Sequence, residues 1–139
     1  MPLWRSHAAA PGSVRSNATH LAEILTKKRW SVVFSEEPVF ITTDTPVTLL
    51  HQGREVFGFG TPGAFVSFPL SPTRVLLMDD RHEQPKGHYY PLKGSPAAHN
   101  GLAWRSCERF MISPRPTDLV CAELLAQAVL NGEAAGPVQ

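Results

Sequence analysis

The segment Phe40-Ile41-Thr42-Thr43-Asp44-Thr45-Pro46 decides how this sequence is expected to fold. Its first residues are apolar or β-branched, which favours a strand. Asp44 accepts hydrogen bonds from nearby amides and Pro46 fixes its own φ, so the residues around them favour a turn. We therefore predict one strand over residues 39–42 and a second over 46–50, on either side of that turn.

The sequence on both sides of this segment predicts further strands and helices. Apolar and β-branched residues predict further strands over 30–35, 55–59, 64–70, 73–78 and 109–113. Helical spacing predicts helices over 16–28 and 97–107, and a final helix that Thr117 caps and Gly132 ends. The expected fold is α+β, with an antiparallel sheet of about five to seven strands flanked by about three helices. We expect the first and last helices to cover the apolar face of the sheet.

The composition is that of one folded domain. The chain has 139 residues, of which 42% are apolar and 18% are charged. That length suits a single domain with a real core. We predict a flexible arm over residues 1–15, a single α+β domain over 16–132 and a disordered tail over 133–139. Two cysteines, Cys107 and Cys121, are too few for a disulfide framework or a zinc site, and we expect both to be buried free thiols.

The charge balance bears on the partners and the location. Thirteen basic and twelve acidic residues give a net charge of +1, so there is no basic field to gather nucleic acid, and none is expected as a partner. No apolar run approaches the roughly 18 residues that cross a bilayer, and the N-terminus has no signal-peptide pattern. The sequence therefore predicts a cytoplasmic protein with no membrane partner.

Four features together resemble a known family: Trp30, the segment Phe40 to Val47, the segment Phe68-Pro69-Leu70-Ser71-Pro72, and Asn100 followed by Arg109-Phe110. They are similar to the C-terminal part of the bacterial domain-of-unknown-function family DUF4238. Its members carry a Phe-Ile-Thr-Ser-Asp-Asn-Pro-type and a Phe-Pro-Leu-Ser-Pro-type segment. The family's N-terminal half, with its His-Tyr-Val-Pro-Gln-type start, is expected to be absent here. The resemblance implies no activity.

Asp44 is the first candidate for chemistry. It follows an apolar strand and precedes Thr45-Pro46. In one interpretation its carboxylate only closes a turn. In the other it faces a cleft and acts as a metal ligand or a general base.

The second candidate is the acidic run Asp79-Asp80-Arg81-His82-Glu83, which begins a long irregular segment over residues 79–97. Carboxylates such as Asp79, Asp80 and Glu83 suit a hard divalent cation like calcium, whereas His82 and His88 suit zinc. The spacing matches neither an EF-hand nor a zincin motif, and a solvated polar loop is the alternative.

Two functional hypotheses follow. The first is a small hydrolase of an ester or lactone, in which a divalent cation held by Asp79, Asp80 and Glu83 polarises the carbonyl and His82 or Asp44 takes the proton. In size and general character the chain is similar to small environmental-library hydrolases that open acyl-homoserine lactones. The second is a non-catalytic binding or assembly module derived from a larger protein, with homo-oligomers expected. Whether the protein is an enzyme is open between the two.

Overall fold

The computed structural model describes residues 11–85 and 87–132. This part of the chain contains the helices α1 (Pro11–Thr26), α2 (Ala97–Arg105) and α3 (Thr117–Leu130). Its strands are β1 (Arg29–Phe34), β2 (Thr42–Thr43), β3 (Thr48–Leu50), β4 (Phe65–Ser71), β5 (Arg74–Asp79), β6 (His88–Pro91) and β7 (Met111–Ile112). The α+β class is confirmed. Residues 1–10 of the predicted arm and the predicted tail over 133–139 lie outside the described residues.

Five strands form one sheet in the order β3-β4-β5-β1-β6, and β2 pairs with β7 in a separate two-stranded sheet. Strands β3, β4, β5 and β1 pair antiparallel, as predicted. Strand β6 pairs parallel with β1, so the sheet is mixed. The irregular segment predicted over residues 79–97 therefore contains a strand. Two backbone hydrogen bonds flank this strand, from the Gly87 amide to the Trp30 carbonyl and from the Leu92 amide to the Phe34 carbonyl.

Several predicted boundaries were wrong. Helix α1 begins at Pro11 rather than residue 16, which is compatible with the tolerance of Pro in a first helical turn. Residues 55–59 contain no strand, and the Gly58 amide donates to the Thr61 hydroxyl in a turn. Helix α3 has Pro116 as its N-cap, so Thr117 is its first residue rather than its cap.

The segment Phe40 to Pro46 joins the two core clusters. Phe40 packs with Val33 and Val75 on the sheet. The next residue, Ile41, packs with Ala103 of α2 and Val120 of α3. The amides of Val39 and Phe40 both donate to the Pro72 carbonyl, so the predicted strand over 39–42 is reduced to β2.

Helix α2 contacts the sheet, and α3 packs on α2. The Thr48 hydroxyl of β3 donates to the Leu102 carbonyl of α2 at 2.8 Å. The expectation that the first and last helices cover the sheet was therefore wrong, because α2 is the helix that packs on the strands. Both cysteines are free as predicted, but Cys107 is only half-buried and Cys121 is exposed on α3.

Candidate functional site

The Asp44 carboxylate binds the turn that follows α2. Its Oδ1 accepts the Glu108 amide at 3.1 Å and its Oδ2 accepts the Arg109 amide at 2.9 Å. Partial desolvation raises the pKa of Asp44, but these amide hydrogen bonds lower it more, so its pKa lies below the usual value. A carboxylate held in this way is a weaker base, so the geometry suits anchoring better than proton transfer.

The residues beside Asp44 fasten the end of α2. The Thr45 hydroxyl donates to the Ser106 carbonyl, and the Thr48 and Ser106 hydroxyls lie 2.7 Å apart. The last carbonyls of a helix lack partners within the helix, and the Thr45 hydroxyl supplies a donor to the carbonyl of Ser106, the C-cap of α2. Burial and the Asp44 charge raise the pKa of the neighbouring Cys107 thiol, which disfavours the nucleophilic thiolate.

The side chain of Asn100 on α2 forms the backbone hydrogen bonds over residues 39–41 that a neighbouring strand would otherwise form. Its side chain is 2% exposed. The Oδ1 atom accepts the Ile41 amide at 3.0 Å, and Nδ2 donates to the Val39 carbonyl at 2.9 Å. Arg115 also donates to the Val39 carbonyl, at 3.3 Å. Two of the features that carried the family resemblance, Asn100 and Arg109-Phe110, therefore both contact a third, the segment Phe40 to Val47.

Asp79 lies at the end of β5 and pairs with Arg29 of β1. Arg29 donates to both carboxylate oxygens, at 2.9 and 2.6 Å, and the Arg81 amide donates at 3.0 Å. Burial raises the pKa of Asp79, but the hydrogen bonds from Arg29 and Arg81 lower it more. The negative charge of Asp79 is thus already matched by a buried guanidinium.

Asp80 is engaged in a similar way. The buried Lys28 ammonium donates to it at 3.1 Å and to the Ala64 carbonyl at 2.8 Å. The Gly63 amide donates to the second carboxylate oxygen at 2.8 Å. These contacts tie the loop before β4 to the end of β5. A metal ion here would have to compete with two buried cations for the same oxygens.

A groove of about 490 Å³ brings Asp79, Asp80 and Glu83 together with His51. Neither Asp44 nor His82 is among its lining residues in the described part of the chain. Asp44 instead contacts residues 108–110, and His82 lies exposed in the turn after β5, where its amide donates to the Asp80 carbonyl. Over residues 11–85 and 87–132, no group of three or more His, Cys, Asp and Glu side chains is arranged to hold a metal ion. The calcium site stays a prediction.

His51 is the residue of this groove that sequence reasoning missed. Its Nε2 contacts the Pro62 carbonyl at 2.9 Å, and its Nδ1 accepts the Gly53 amide at 3.0 Å. With Nδ1 accepting, Nε2 is the nitrogen that donates. His51 follows a short strand without a motif around it, so no local signal pointed to it.

Helix α3 presents an apolar outer face. Only Val120 of this helix is fully buried. Leu119 is 47% exposed, Leu125 64%, Val129 66% and Leu130 80%. Of its two charged residues, Glu123 pairs with Arg115 through two hydrogen bonds of 2.8 Å. Large apolar side chains exposed in this number on one helix are normally covered by another element, so this exposure marks α3 as a candidate interface.

These observations define a small α+β domain in which a strand-turn segment is anchored to a helix and to the turn after it. The chain belongs to the family described as Protein of unknown function (DUF4238), which matches residues 5–128. The family predicted from the sequence is thereby confirmed. No curated protein and no solved structure matches the chain. Over the described residues, no helix combines the length and the apolar character needed to cross a bilayer.

Proposed function

We propose that this chain is a non-catalytic assembly module that associates with a second copy of itself through the outer face of α3. The observation that carries the proposal is the apolar surface of that helix. We call it the α3 stripe, and it consists of Leu119, Ala122, Leu125, Ala126, Val129 and Leu130. All six are exposed.

The spacing of the α3 stripe favours helix-helix contact. Ala122, Leu125 and Val129 recur at intervals of three and four residues, which places them along one side of a helix. That side is turned away from Val120, the residue that packs on α2. Burying a Leu or Val side chain fully is worth about 1.5–3 kcal/mol, so covering several half-exposed ones supplies a substantial driving force.

A second copy of the chain suits the α3 stripe better than a charged partner. The stripe contains no Lys or Arg, and the net charge of +1 gives little repulsion between copies. Ala122 and Ala126 lie in the middle and let two helix backbones approach closely. In a two-fold related, antiparallel pair, Leu119 of one copy lies near Val129 of the other, so the surface is complementary to itself.

The anchored carboxylates support the non-catalytic character. Asp44 is bound by two backbone amides, and Asp79 and Asp80 are bound by Arg29 and Lys28. Three of the four acids predicted for chemistry thus already have structural partners. We include a cytoplasmic location in this proposal, because both cysteines are free thiols, which suits a reducing compartment.

The test is the effect of one charge in the α3 stripe on the mass of the protein in solution. Leu125→Glu places a carboxylate in the centre of the stripe, and Val56→Glu makes a matched change at a site that is 90% exposed in a loop. Light scattering coupled to size exclusion should give a dimer for the wild type and for Val56→Glu, and a monomer for Leu125→Glu. Equal masses for the two variants would contradict the proposal.

A second candidate function is metal-assisted hydrolysis of an ester or lactone, and the groove that joins Asp79, Asp80 and Glu83 to His51 favours it. An acyl-homoserine lactone is the substrate to test, with and without calcium and with a chelator. Lactone opening that stops in chelator and is lost in Asp80→Asn would support this function. Unchanged activity in chelator would remove the metal, and inactivity in every condition would remove the hydrolase.

A further inference from the structure

We infer that Arg115 neutralises the carboxylate that interrupts the middle of the α3 stripe, and that this neutralisation lets the stripe pair with a second copy. The inference rests on the proposed function, because it concerns the same face of α3. Glu123 lies four residues after Leu119 and three before Ala126, so it belongs to the same side of the helix as these two members of the stripe. The other acid of α3, Asp118, is exposed in the first turn, where the helix dipole favours a negative charge.

Association brings the two copies of Glu123 close together. In the antiparallel pair described above, Leu119 of one copy lies near Val129 of the other, so the two-fold axis passes at the level of Leu124. Glu123 is the next residue along the helix, and each copy of it therefore lies close to the axis. Two unpaired carboxylates in an apolar contact would repel each other and would lose their water. The stripe can pair with itself only if this charge is matched.

Arg115 matches the charge within its own copy. Its Nη1 donates to Oε2 of Glu123 and its Nη2 donates to Oε1, each at 2.8 Å, which is the bidentate geometry of a strong ion pair. The Arg115 side chain is 17% exposed and that of Glu123 is 25% exposed. The hydrogen bonds from Arg115 also lower the pKa of Glu123, so the pair is ionised at pH 7. The α3 stripe therefore needs no basic residue from its partner.

The Arg115 side chain is held in place before any partner arrives. Its Nη2 also donates to the Val39 carbonyl at 3.3 Å. The Ser113 hydroxyl accepts the Arg115 amide at 3.0 Å and donates to the Arg115 carbonyl at 2.9 Å, which fixes the backbone of this residue. Mobile surface ion pairs contribute little, because ordering two long side chains costs entropy. A pair that the fold has already ordered avoids most of that cost when two copies meet.

The experiment compares the dissociation constant of the dimer for four full chains at pH 7. Sedimentation equilibrium measures it, after circular dichroism has established that each chain is folded. The chains are the wild type, Arg115→Met, the double variant Arg115→Met/Glu123→Gln, and Arg54→Met. Arg115→Met leaves Glu123 unpaired, and the double variant removes both charges. Arg54→Met is the matched control, because Arg54 is exposed in the loop after β3.

We expect the dissociation constant to be at least about tenfold higher for Arg115→Met, because a carboxylate without a partner must then be buried on association. The double variant should return close to the wild-type value, since it has no charge left to bury. Arg54→Met should associate like the wild type. Arg115→Gln serves if Arg115→Met fails to fold, because glutamine is uncharged but can still donate to the Val39 carbonyl.

The outcomes separate this inference from the proposed function. A wild-type dimer whose dissociation constant is unchanged in Arg115→Met would overturn the inference and leave the proposed function standing. A double variant that dimerises as weakly as Arg115→Met would also overturn it, because Arg115 would then act only by holding the chain around Val39. A wild type that is monomeric at every concentration would contradict both.

Discussion

Replacing Asn100 with Ala should be one of the most destabilising single changes in this protein. Asn100 is buried on α2 and bonds the backbone on either side of Phe40. Removing its side chain leaves the Ile41 amide without its acceptor, which costs about 1–3 kcal/mol for a buried group. The Val39 carbonyl keeps its hydrogen bond from Arg115. Losing the hydrogen bond from Asn100 to this carbonyl therefore costs only the net value of one hydrogen bond, about 0.5–1.5 kcal/mol.

The sum is about 1.5–4.5 kcal/mol, a large share of the roughly 5–15 kcal/mol that stabilises typical domains. Urea unfolding followed by circular dichroism measures it, as a lower midpoint with an unchanged slope. Asn17→Ala is the matched control, because Asn17 is an exposed helical residue of α1 and its replacement should stay within about 0.5 kcal/mol of the wild type. A cost below about 0.5 kcal/mol for Asn100→Ala would refute the assigned role of this side chain.

Two further predictions concern protonation. Asp44→Asn should lower the melting temperature at pH 7. The difference in melting temperature between the wild type and the variant should shrink below pH 3.8, because the carboxylate with its lowered pKa stabilises the fold only while it is ionised. A difference that is the same at pH 7 and below pH 3.8 would contradict this. Burial also lowers the pKa of His99 from its usual value of 6.5. As the pH falls, the His99 ring therefore binds a proton more readily in the unfolded chain than in the folded one, and the free energy of unfolding of the wild type should fall below pH 6.5. His99→Gln should reduce that slope in urea midpoints measured over the same pH range, and an identical slope in the variant would count against a buried neutral ring.

Local patterns predicted the α+β class and most of the large sheet, because those residues bury a periodic apolar face. Strands β4 and β5 form a hairpin whose alternation is visible in the sequence. Strand β6 was missed, because its partner β1 lies far away in the chain and its own side chains are mostly exposed. The false strand over 55–59 came from aromatic residues in a segment whose glycine enters a turn.

The candidate site was predicted only where it depends on neighbouring residues in the sequence. The turn-closing interpretation of Asp44 identified its amide-accepting chemistry, but its partners, Glu108 and Arg109, come from a distant turn that no local rule supplies. Asp79 and Asp80 do lie together, but the cations that neutralise them, Arg29 and Lys28, lie 50 and 52 residues earlier in the chain. Pairing between residues far apart in the chain produces no repeating pattern in a single sequence, so it could not be predicted from this one.

Sedimentation equilibrium of the wild-type chain over a dilution series measures assembly through the α3 stripe. We expect a mass of two chains at high concentration that falls towards one chain on dilution, with a weaker association for Leu125→Glu. A mass of one chain at every concentration would contradict it.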